Sequence, residues 1–426
     1  MTTKAFVKPS HLRGEIRAPF SKSDSHRALI AAALCETPTE IELSIASDDI
    51  TATKRCLEAL GAKLTQISET RFLMEPVFSR GIKNSSLLDC GESGTTLRLL
   101  FPVAAALGAN PSFAGSGRLP ERPMEELISV VEKNGCKLSE HTLPYSLSGK
   151  LTGGDYELPG NVSSQYISGL LLALPLLDGD STITLSTKLE SAAYVAMTMK
   201  TLETFGIAVS KTQSGYHVKG NQRYVSPRKI AVEGDWSNAA FFLAAGALGS
   251  TVKVTGLGAG SLQGDKAICD ILRRFGADVT EKNSAVTVKA QKLRGIDINV
   301  SEIPDLFPIL AVVAAGAEGT TRLFDASRLR IKESDRISAV AQMLKNIGAT
   351  VQETPDSLII KGGERLAGGA VDSHNDHRIV MSAAVASIIC ENEVTIDGAQ
   401  AVNKSYPHFF SDFGALGGNA NVIDNG

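Results

Sequence analysis

The sequence has few aromatic residues, no closely spaced cysteines and no excess of charge of either sign. Aromatic residues make up 5% of the 426 residues, and the six cysteines stand far apart without a CxxC pair. This spacing argues against both a disulfide framework and a zinc knuckle. Lysine and arginine number 43 against 46 aspartate and glutamate, so no bulk positive field indicates nucleic acid or an anionic membrane as a partner. Any anion site must therefore be local.

Long apolar stretches are also missing. No segment approaches the roughly 18 apolar residues that a membrane span needs, and the opening MTTKAFVKP lacks the apolar core of a signal peptide. With 43% hydrophobic and 21% charged residues, the composition is typical of a globular α/β protein. Single cores stop growing near roughly 250–300 residues. We therefore expect a cytoplasmic enzyme of two domains.

One segment recurs six times: an amphipathic helix ends at a glycine and an extended run follows, with successive glycines about 70 residues apart. A glycine suits the left-handed backbone that ends a helix, and the β-branched residues after it suit a strand. Such junctions are common in any α/β protein, but the even spacing favours six units, three per domain. A crossover between domains is predicted near Gly234 and Asp235. The repeated glycines are Gly61, Gly135, Gly206, Gly276, Gly348 and Gly414.

Two segments of the first half place polar and cationic residues at the start of an apolar helix. SKSDSHR (21–27) precedes ALIAAAL, with Ser23 and Arg27 one turn apart on one face. DCGESGTTLR (89–98) precedes LLFPVAAAL, and its glycines and free amides suit a phosphate, although the P-loop ending is missing. Both segments predict anion sites, and an ordinary polar cap is the alternative for each.

Two further segments of the first half carry hydrogen-bonding groups. GSGRLPERPM (115–124) holds Arg122 in a stiff loop, where a guanidinium could clamp a carboxylate or phosphate. VSSQY (162–166) supplies hydroxyl and amide groups before another apolar helix. These groups suit hydrogen bonding to a sugar-like ring or a plain capping box, and capping is favoured for this segment in isolation.

In the second half, charged residues again precede apolar helices. Asp305 stands before LFPILAVVAAGA and is either a functional carboxylate or a cap. RLRIKESDR (328–336) alternates charges before ISAVAQML, and Glu333 beside Lys332 is a candidate acid–base pair. A solvated helix face is the alternative for this segment.

The last two motifs are SHNDHR (373–378), which opens the helix IVMSAAVA, and KSYP (404–407) in the closing segment. His374 and His377 could be a metal pair, but no further cysteine or histidine stands nearby. The adjacent Arg378 therefore favours an anion site over a metal.

The cationic residues of these motifs share one feature: each falls at a loop or helix start in a chain of slightly negative net charge. Both halves contribute, which predicts a cleft between the domains that binds one or two multiply charged small anions and closes around them. These cations are Lys22, Arg27, Arg122, Lys332, Arg336, Arg378 and Lys404.

As a set, the motifs resemble those of the 5-enolpyruvylshikimate-3-phosphate synthase family, in order and spacing over nearly the whole chain. The resemblance implies an α/β fold of two inside-out α/β barrel domains with six βαβαββ repeats, three in each. It assigns 21–233 to the first domain and 1–20 plus 234–426 to the second. The motifs that carry it are SKSDSHRALIAAAL, GESGTTLRLL, ERPM, SSQY, DWSNAAFFLAA, PDLFPILAV, RIKESDR, NDHRIVM and KSYPHFF.

The resemblance further implies transfer of the enolpyruvyl group of phosphoenolpyruvate to the 5-hydroxyl of shikimate 3-phosphate, with release of phosphate through a tetrahedral intermediate. It implies no metal or organic cofactor, no nucleic-acid or membrane partner, and a monomer. The residues implied to hold the substrates in general, or shikimate 3-phosphate in particular, are Lys22, Ser23, Arg27, Ser163, Ser164, Gln165, Ser191, Tyr194, Asp305 and Lys332. Those implied for phosphoenolpyruvate are Gly94, Arg122, Arg336, Arg378 and Lys404.

For catalysis, the resemblance implies Glu333 as donor of the proton to C3 of phosphoenolpyruvate. Asp305 and either Lys22 or Lys332 assist at the hydroxyl and the leaving group. Glu92 and Arg328 stand where many members carry asparagine or, at the second position, another small polar residue. Glu92 near phosphoenolpyruvate adds repulsion unless it is paired.

Two alternatives stay open. UDP-N-acetylglucosamine enolpyruvyl transferases share the architecture but typically carry a reactive cysteine in the loop before an Arg-Pro pair, where this chain has GSGRLPERP. A non-catalytic repeat protein that binds phosphorylated metabolites is the other, and turnover separates it from an enzyme.

Overall fold

The computed structural model describes residues 2–425 and divides into two compact units. The first unit is Lys22–Val232, and the second unit combines Met1–Ser21 with Glu233–Gly426. The chain thus begins in the second unit, builds the whole first unit and then returns.

Strands and helices alternate along the chain. The strands are β1 (Thr2–Lys8), β2 (Arg13–Arg17), β3 (Thr39–Glu42), β4 (Lys63–Gln66), β5 (Arg71–Glu75), β6 (Leu87–Asp89), β7 (Ser112–Ala114), β8 (Cys136–Leu138), β9 (Tyr145–Gly149), β10 (Asp155–Leu158), β11 (Ser181–Leu185), β12 (Val209–Lys211), β13 (Gly215–Val218), β14 (Lys229–Ala231), β15 (Thr251–Thr255), β16 (Asp278–Lys282), β17 (Ala285–Lys289), β18 (Asp297–Asn299), β19 (Gly319–Phe324), β20 (Thr350–Glu353), β21 (Leu358–Gly362), β22 (Gly369–Asp372), β23 (Val394–Asp397) and β24 (Asn419–Asn425).

The α-helices are α1 (Lys22–Ala33), α2 (Asp48–Leu60), α3 (Val77–Arg80), α4 (Gly94–Leu107), α5 (Glu125–Lys133), α6 (Ser164–Ala173), α7 (Ala192–Thr204), α8 (Trp236–Gly249), α9 (Ile268–Phe275), α10 (Phe307–Gly316), α11 (Arg336–Asn346), α12 (His377–Ala386) and α13 (Phe409–Ala415). Short 3₁₀ helices are Leu119–Glu121, Leu174–Leu176, Gly264–Ala267, Pro304–Leu306, Ser327–Ile331, Ser387–Ile389 and Ala399–Lys404.

Across residues 2–425 the strands form six four-stranded sheets with one shared pattern, a parallel pair followed by two antiparallel pairs. In the first unit the orders are β14-β3-β5-β4, β6-β7-β9-β8 and β10-β11-β13-β12. In the second unit they are β16-β17-β15-β2, β18-β19-β21-β20 and β22-β23-β1-β24. The chain therefore has a mixed α/β fold, as the sequence predicted.

Three sheets contain strands that are distant in sequence. Strand β14 pairs in parallel with β3, with Ile230 opposite Ile41. Strand β2 pairs in parallel with β15, and β1 lies between β23 and β24. These pairings join distant segments of the chain within one unit. The chain passes from one unit to the other twice, after Ser21 and after Val232.

Two kinds of helix follow from the sequence pattern. Helices α1, α4 and α6 of the first unit, like α8, α10 and α12 of the second, are buried almost all round, as their Ala- and Leu-rich sequences require. Helices α2, α5, α9 and α11 are amphipathic and cover the sheets. An apolar helix buried over its length can present polar groups only at its ends, which places polar chemistry there.

Five of the six repeated glycines take the left-handed backbone expected at a helix end, with φ between 76° and 118°. The prediction for Gly414 is wrong: it lies inside α13, which continues to Ala415, and the residue with positive φ is Gly417 at 91°. The sequence FGALGG offers several glycines, and the later one ends the turn.

Over residues 2–425, none of the helices has both the length and the apolar character to cross a membrane.

Helices α4 and α6 approach so closely that Gly169 has no room for a side chain. A Cβ there would lie 2.3 Å from the carbonyl oxygen of Arg98 and 2.9 Å from Pro102 Cγ. We expect Gly169→Ala to lower the free energy of unfolding by about 2–3 kcal/mol, since backbone must move to accept the methyl group. Urea unfolding followed by circular dichroism measures it.

Gly414→Ala is the matched control, because a Cβ on this helical glycine meets no atom within 4 Å. Alanine should leave stability unchanged or raise it by up to about 1 kcal/mol. Equal midpoints for the two variants would contradict the close packing of α4 against α6.

Candidate functional site

The first unit brings together the starts of its three buried helices. At α1, Lys22 Nζ lies 2.8 Å from Asp49 Oδ2 at the start of α2. His26 is fully buried, and its Nδ1 lies 2.7 Å from Thr53 Oγ1, which in turn lies 2.7 Å from Thr96 Oγ1 on α4. Burial lowers the pKa of His26 well below its usual range, helped by Lys22. The neutral imidazole therefore ties α1, α2 and α4 together.

Arg27 supports the backbone around it. It is 1% exposed, and it donates from Nη1 to the Ser23 carbonyl at 2.6 Å and from Nη2 to the Tyr194 carbonyl at 3.0 Å. Its Nε donates to Thr198 Oγ1 at 2.8 Å. Burial lowers the pKa of Arg27 to about 10, so it remains a cation at neutral pH. Within the first unit it fixes the positions of Ser23 and Tyr194.

A second network joins α4 to α6. Gln165 donates from Nε2 to Thr95 Oγ1 at 2.8 Å and accepts from Arg98 Nη1 at 3.0 Å. Arg98 Nη2 also donates to the Pro123 carbonyl at 2.8 Å, next to Arg122. The loop that carries Arg122 is thus tied to both helix starts.

Gly94 and Arg122 are in direct contact. A Cβ at Gly94 would lie 2.5 Å from Arg122 Nη1, so glycine leaves the space that the guanidinium occupies over the start of α4. Glu92 lies close by, with its carboxyl carbon 2.5 Å from where a Cβ on Gly117 would stand. The start of α4 therefore lies beside a guanidinium from the loop that carries Arg122, and a carboxylate, Glu92, stands in the loop that precedes the helix.

Four further candidate residues of the first unit carry hydroxyl groups: Ser163, Ser164, Ser191 and Tyr194. Ser163 caps α6 by accepting from the amide of Gln165 at 3.3 Å, and Ser164 follows it. Ser191 is 2% exposed and has a left-handed backbone with φ 54°, unusual for a non-glycine residue. Its carbonyl accepts from the amide of Tyr194 at 3.1 Å. Capping and a ligand role are compatible at Ser163, since the cap uses one lone pair of the hydroxyl.

In the second unit, Arg336 lies at the centre of a charged group. Its side chain is 2% exposed and contacts three carboxylates: Nη1 to Asp305 Oδ1 at 2.8 Å, Nη2 to Glu333 Oε2 at 2.7 Å and Nε to Asp376 Oδ2 at 2.8 Å. Ser334 Oγ also donates to Asp376 Oδ2, at 3.0 Å. Although burial opposes the charge, the three carboxylates raise the pKa of Arg336 well above its usual range. We call these four charged residues the Arg336 cluster.

Asp305 is shared by two arginines. Its Oδ2 lies 3.0 Å from Arg378 Nη2, and its carbonyl accepts from Arg378 Nη1 at 3.1 Å. Burial disfavours the carboxylate, but Arg378, Arg336 and Lys332 outweigh it and hold the pKa of Asp305 below its usual range. Asp305 is therefore ionised at neutral pH.

Lys332 is the residue of this group whose charge changes near neutrality. Burial lowers the pKa of Lys332 to about 7, and Asp305 only partly opposes this effect. A lysine with such a pKa can hold or release a proton at physiological pH, which suits acid–base chemistry.

Lys404 joins the closing segment to the loop before α12. It is 8% exposed, and its Nζ donates to the Asn375 carbonyl at 2.5 Å. Asn375 and His374 both have left-handed backbones, with φ 55° and 49°. Among residues 2–425, no group of three or more histidine, cysteine, aspartate or glutamate side chains is placed to hold a metal ion.

Comparison with known proteins decides the family. The family model for EPSP synthase (3-phosphoshikimate 1-carboxyvinyltransferase) matches residues 7–413. The chain belongs to the EPSP synthase family.

Relatives agree along the full length. The chain is 45% identical to the 3-phosphoshikimate 1-carboxyvinyltransferase of Clostridium novyi, covering 98% of both chains, and 43% identical to that of Clostridium acetobutylicum, covering 97% of both. A solved structure of EPSP synthase from Acinetobacter baumannii superposes with a TM-score of 0.85 at 28% identity, covering 100% of each chain. The family expected from the sequence motifs is confirmed.

Some residues of the candidate site could not be chosen from sequence. Asp376 was part of a quoted motif, but nothing marked it as the buried partner of Arg336. Asp49 and Thr95 hold Lys22 and Gln165. Their position in the sequence could have identified them, because each stands at or near the start of a helix, as the predicted residues do.

We expect Arg336→Met to lower the free energy of unfolding by about 3–5 kcal/mol, because three buried or partly buried carboxylates lose their common partner. Thermal and urea unfolding at neutral pH measure the effect.

Arg273→Met is the control. Arg273 also contacts two carboxylates, Asp270 and Glu281, each at 2.8 Å, but its side chain is 38% exposed. The free energy of unfolding should fall by less than about 1 kcal/mol. If Arg336→Met lowers the free energy of unfolding no more than Arg273→Met does, Arg336 is not the common partner that stabilises the three carboxylates.

Proposed function

We propose that the chain is a 3-phosphoshikimate 1-carboxyvinyltransferase, transferring the enolpyruvyl group of phosphoenolpyruvate to the 5-hydroxyl of shikimate 3-phosphate with release of phosphate. The observation that carries the proposal is the Arg336 cluster with its neighbours Arg378 and Lys332. In a chain of the EPSP synthase family, it combines two guanidinium groups for an anion with a titratable lysine and a carboxylic acid.

The two units offer different chemistry for the two substrates. The first unit presents hydroxyl and amide groups at Ser163, Ser164 and Gln165, which suit the hydroxyls of shikimate 3-phosphate. The second unit presents Arg336, Arg378 and Lys404, which suit the carboxylate and phosphate of phosphoenolpyruvate. We infer that both groups serve one reaction. Ser191 and Tyr194 act on the shikimate side, and Gly94 and Arg122 act on the phosphoenolpyruvate side. The residues that hold the substrates in general are Lys22, Ser23 and Arg27.

Proton transfer to C3 of phosphoenolpyruvate is assigned to Glu333. Its Oε2 accepts a hydrogen bond from Arg336 Nη2 at 2.7 Å. A substrate anion on Arg336 adds negative charge beside Glu333 and competes for the same donors, and both effects favour the protonated carboxyl. Substrate binding thus prepares Glu333 to act as an acid.

At the acceptor, Asp305 stays ionised and can accept a hydrogen bond from the 5-hydroxyl while the oxygen attacks C2. The hydroxyl proton passes to Lys332 or to Lys22. In the elimination the bond between C2 and the phosphate oxygen breaks and the phosphate takes up a proton from that lysine, while Glu333 takes back a proton from the C3 methyl group and so restores the carbon–carbon double bond. Because burial lowers the pKa of Lys332 to about 7, both directions of transfer are accessible at neutral pH.

We further propose that each four-stranded sheet with its two helices is one βαβαββ repeat, and that three repeats form an inside-out barrel in each domain. The domains in this proposal are 21–233 and 1–20 plus 234–426. The enzyme acts as a cytoplasmic monomer without a cofactor. The shared strand order of the six sheets across residues 2–425 supports the repeat.

The function is tested by phosphate release from purified protein with phosphoenolpyruvate and shikimate 3-phosphate together, and with each alone. Release that requires both substrates supports the proposal. Release with UDP-N-acetylglucosamine in place of shikimate 3-phosphate indicates the other enolpyruvyl transferase, and no release with either acceptor indicates a binding protein.

We expect Glu333→Gln to lower kcat by about 10²–10⁴-fold with little change in KM, because the amide keeps a hydrogen bond to Arg336 but cannot supply the proton. Steady-state kinetics of phosphate release give both constants.

Glu364→Gln, an exposed glutamate of the second unit, should leave both constants unchanged. Wild-type kcat in Glu333→Gln would remove Glu333 from the proton-transfer step.

A further inference from the structure

Beside the start of the buried helix α8 lies a carboxyl group to which the proposed reaction gives no part. Asp265 lies in the 3₁₀ helix Gly264–Ala267, is 2% exposed, and accepts a short hydrogen bond from Ser237 Oγ on α8 to its Oδ2. Its second oxygen, Oδ1, is buried without a hydrogen-bond partner among the described residues. A carboxylate buried with one oxygen unsatisfied is costly unless it carries a proton.

The segment around Asp265 is held firmly. Gln263 Oε1 accepts from the Trp236 amide at 3.0 Å, and Gln263 Nε2 donates to Glu233 Oε1 and the Gly234 carbonyl, both at 2.8 Å. Asp235 caps α8 by accepting from the Asn238 amide at 2.7 Å. Asp265 is therefore fixed in place and cannot turn away to solvent.

The charges that act on Asp265 come from three elements. Asp305 and Asp235 both disfavour its ionisation, whereas Arg378 on α12 favours it. Its chain neighbour Lys266 donates instead to the Ala259 carbonyl at 2.5 Å and lies over the Trp236 ring. Burial raises the pKa of Asp265 to about 7, and the negative charge of Asp305 contributes to this increase.

Arg378 is the group that Asp265 and Asp305 share. It contacts Asp305 directly at 3.0 Å, and its positive charge favours ionisation of Asp265. When Asp265 is uncharged, the charge of Arg378 is balanced by Asp305 alone. When Asp265 ionises, a second negative charge acts on the same guanidinium and lowers its attraction for an incoming anion.

We propose that Asp265 is a positioning residue for the anion site, whose uncharged carboxyl leaves Arg378 available to phosphoenolpyruvate and whose ionisation weakens binding of that substrate. The inference rests on the proposed function and on the place of Arg378 in it. Asp265 does not touch the reacting atoms in this account and acts through Arg378.

The sign of the pH effect follows from the raised pKa. Asp265 is protonated below about pH 7 and ionises above it, so the KM for phosphoenolpyruvate should rise as pH increases through that value. We expect a rise of about tenfold from about pH 6 to about pH 8.5, since ionisation adds one full negative charge that acts on Arg378. The second pKa of the substrate phosphate, about 6, contributes equally to every variant.

The test compares pH profiles of phosphate release at saturating shikimate 3-phosphate. Asp265→Asn mimics the protonated form, so its KM for phosphoenolpyruvate should rise less between about pH 6 and about pH 8.5 than that of the wild type, keeping only the part that comes from deprotonation of Lys332, while kcat stays close to wild type. Ser237→Ala removes a hydrogen bond that favours the carboxylate, so it should move the rise to higher pH. Asp270→Asn, with its side chain 81% exposed on α9, is the control and should keep the wild-type profile.

A second readout is independent of turnover. The raised pKa makes the free energy of unfolding of the wild type fall between the ordinary carboxyl pKa, about 3.9, and about pH 7. Asp265→Asn lacks this fall, so its melting temperature relative to wild type should be higher at about pH 8 than at about pH 5. This difference shows whether Asp265 titrates, and Ser237→Ala carries the kinetic test if Asp265→Asn does not fold.

Two failures are distinguishable. Phosphate release whose KM profile is the same in Asp265→Asn and wild type overturns the inference and leaves the function intact. No phosphate release by the wild type at any pH overturns the proposed function, and the role of Asp265 toward phosphoenolpyruvate with it.

Discussion

The second unit depends on one constraint: the buried guanidinium of Arg336 must be matched by negative charge on every side. Asp305, Glu333 and Asp376 supply it from three different elements at 2.7 to 2.8 Å. Removing a buried partner costs far more than an exposed ion pair contributes. The loop before α12, the start of α11 and the helix turn at Asp305 are therefore fixed relative to one another by charge as well as by packing. A site that must bind anions thus contains carboxylates that hold its arginines in place.

The position of that charge follows from the apolar helices. Helices α4, α8 and α10 are so uniformly buried that their polar neighbours are confined to their ends. Helix starts also offer free amides, which favour anions. In the first unit these ends combine hydroxyl and amide groups with charged groups such as Lys22 and Arg122, and in the second they carry mainly ionised groups. The same structural device therefore gives the two units different chemistry through a few substitutions at the helix starts.

Particular residues show which features of the fold and of the candidate site can be predicted from the sequence. The even spacing of glycines predicted five helix ends correctly, because a left-handed backbone is a local requirement that glycine meets. It was wrong at Gly414, where neighbouring glycines could meet the same requirement. The family and the helix-start motifs were also predictable. Two partners of Arg27, by contrast, are Thr198 and the Tyr194 carbonyl, more than 160 residues away, and such pairings depend on packing that no local pattern records.

Charge balance gives the second unit a further property. Asp305, Glu333 and Asp376 offset the positive charges of Arg336, Arg378 and Lys332 when that lysine is protonated. An incoming anion disturbs this balance, and the lowest-cost response is to bind a proton at a group that titrates near neutrality. Lys332 and Asp265, each with a pKa of about 7, are such groups, one gaining a positive charge and the other losing a negative one. Binding of phosphoenolpyruvate should therefore be coupled to proton uptake at two places in the second unit, of which the sequence motifs marked only Lys332.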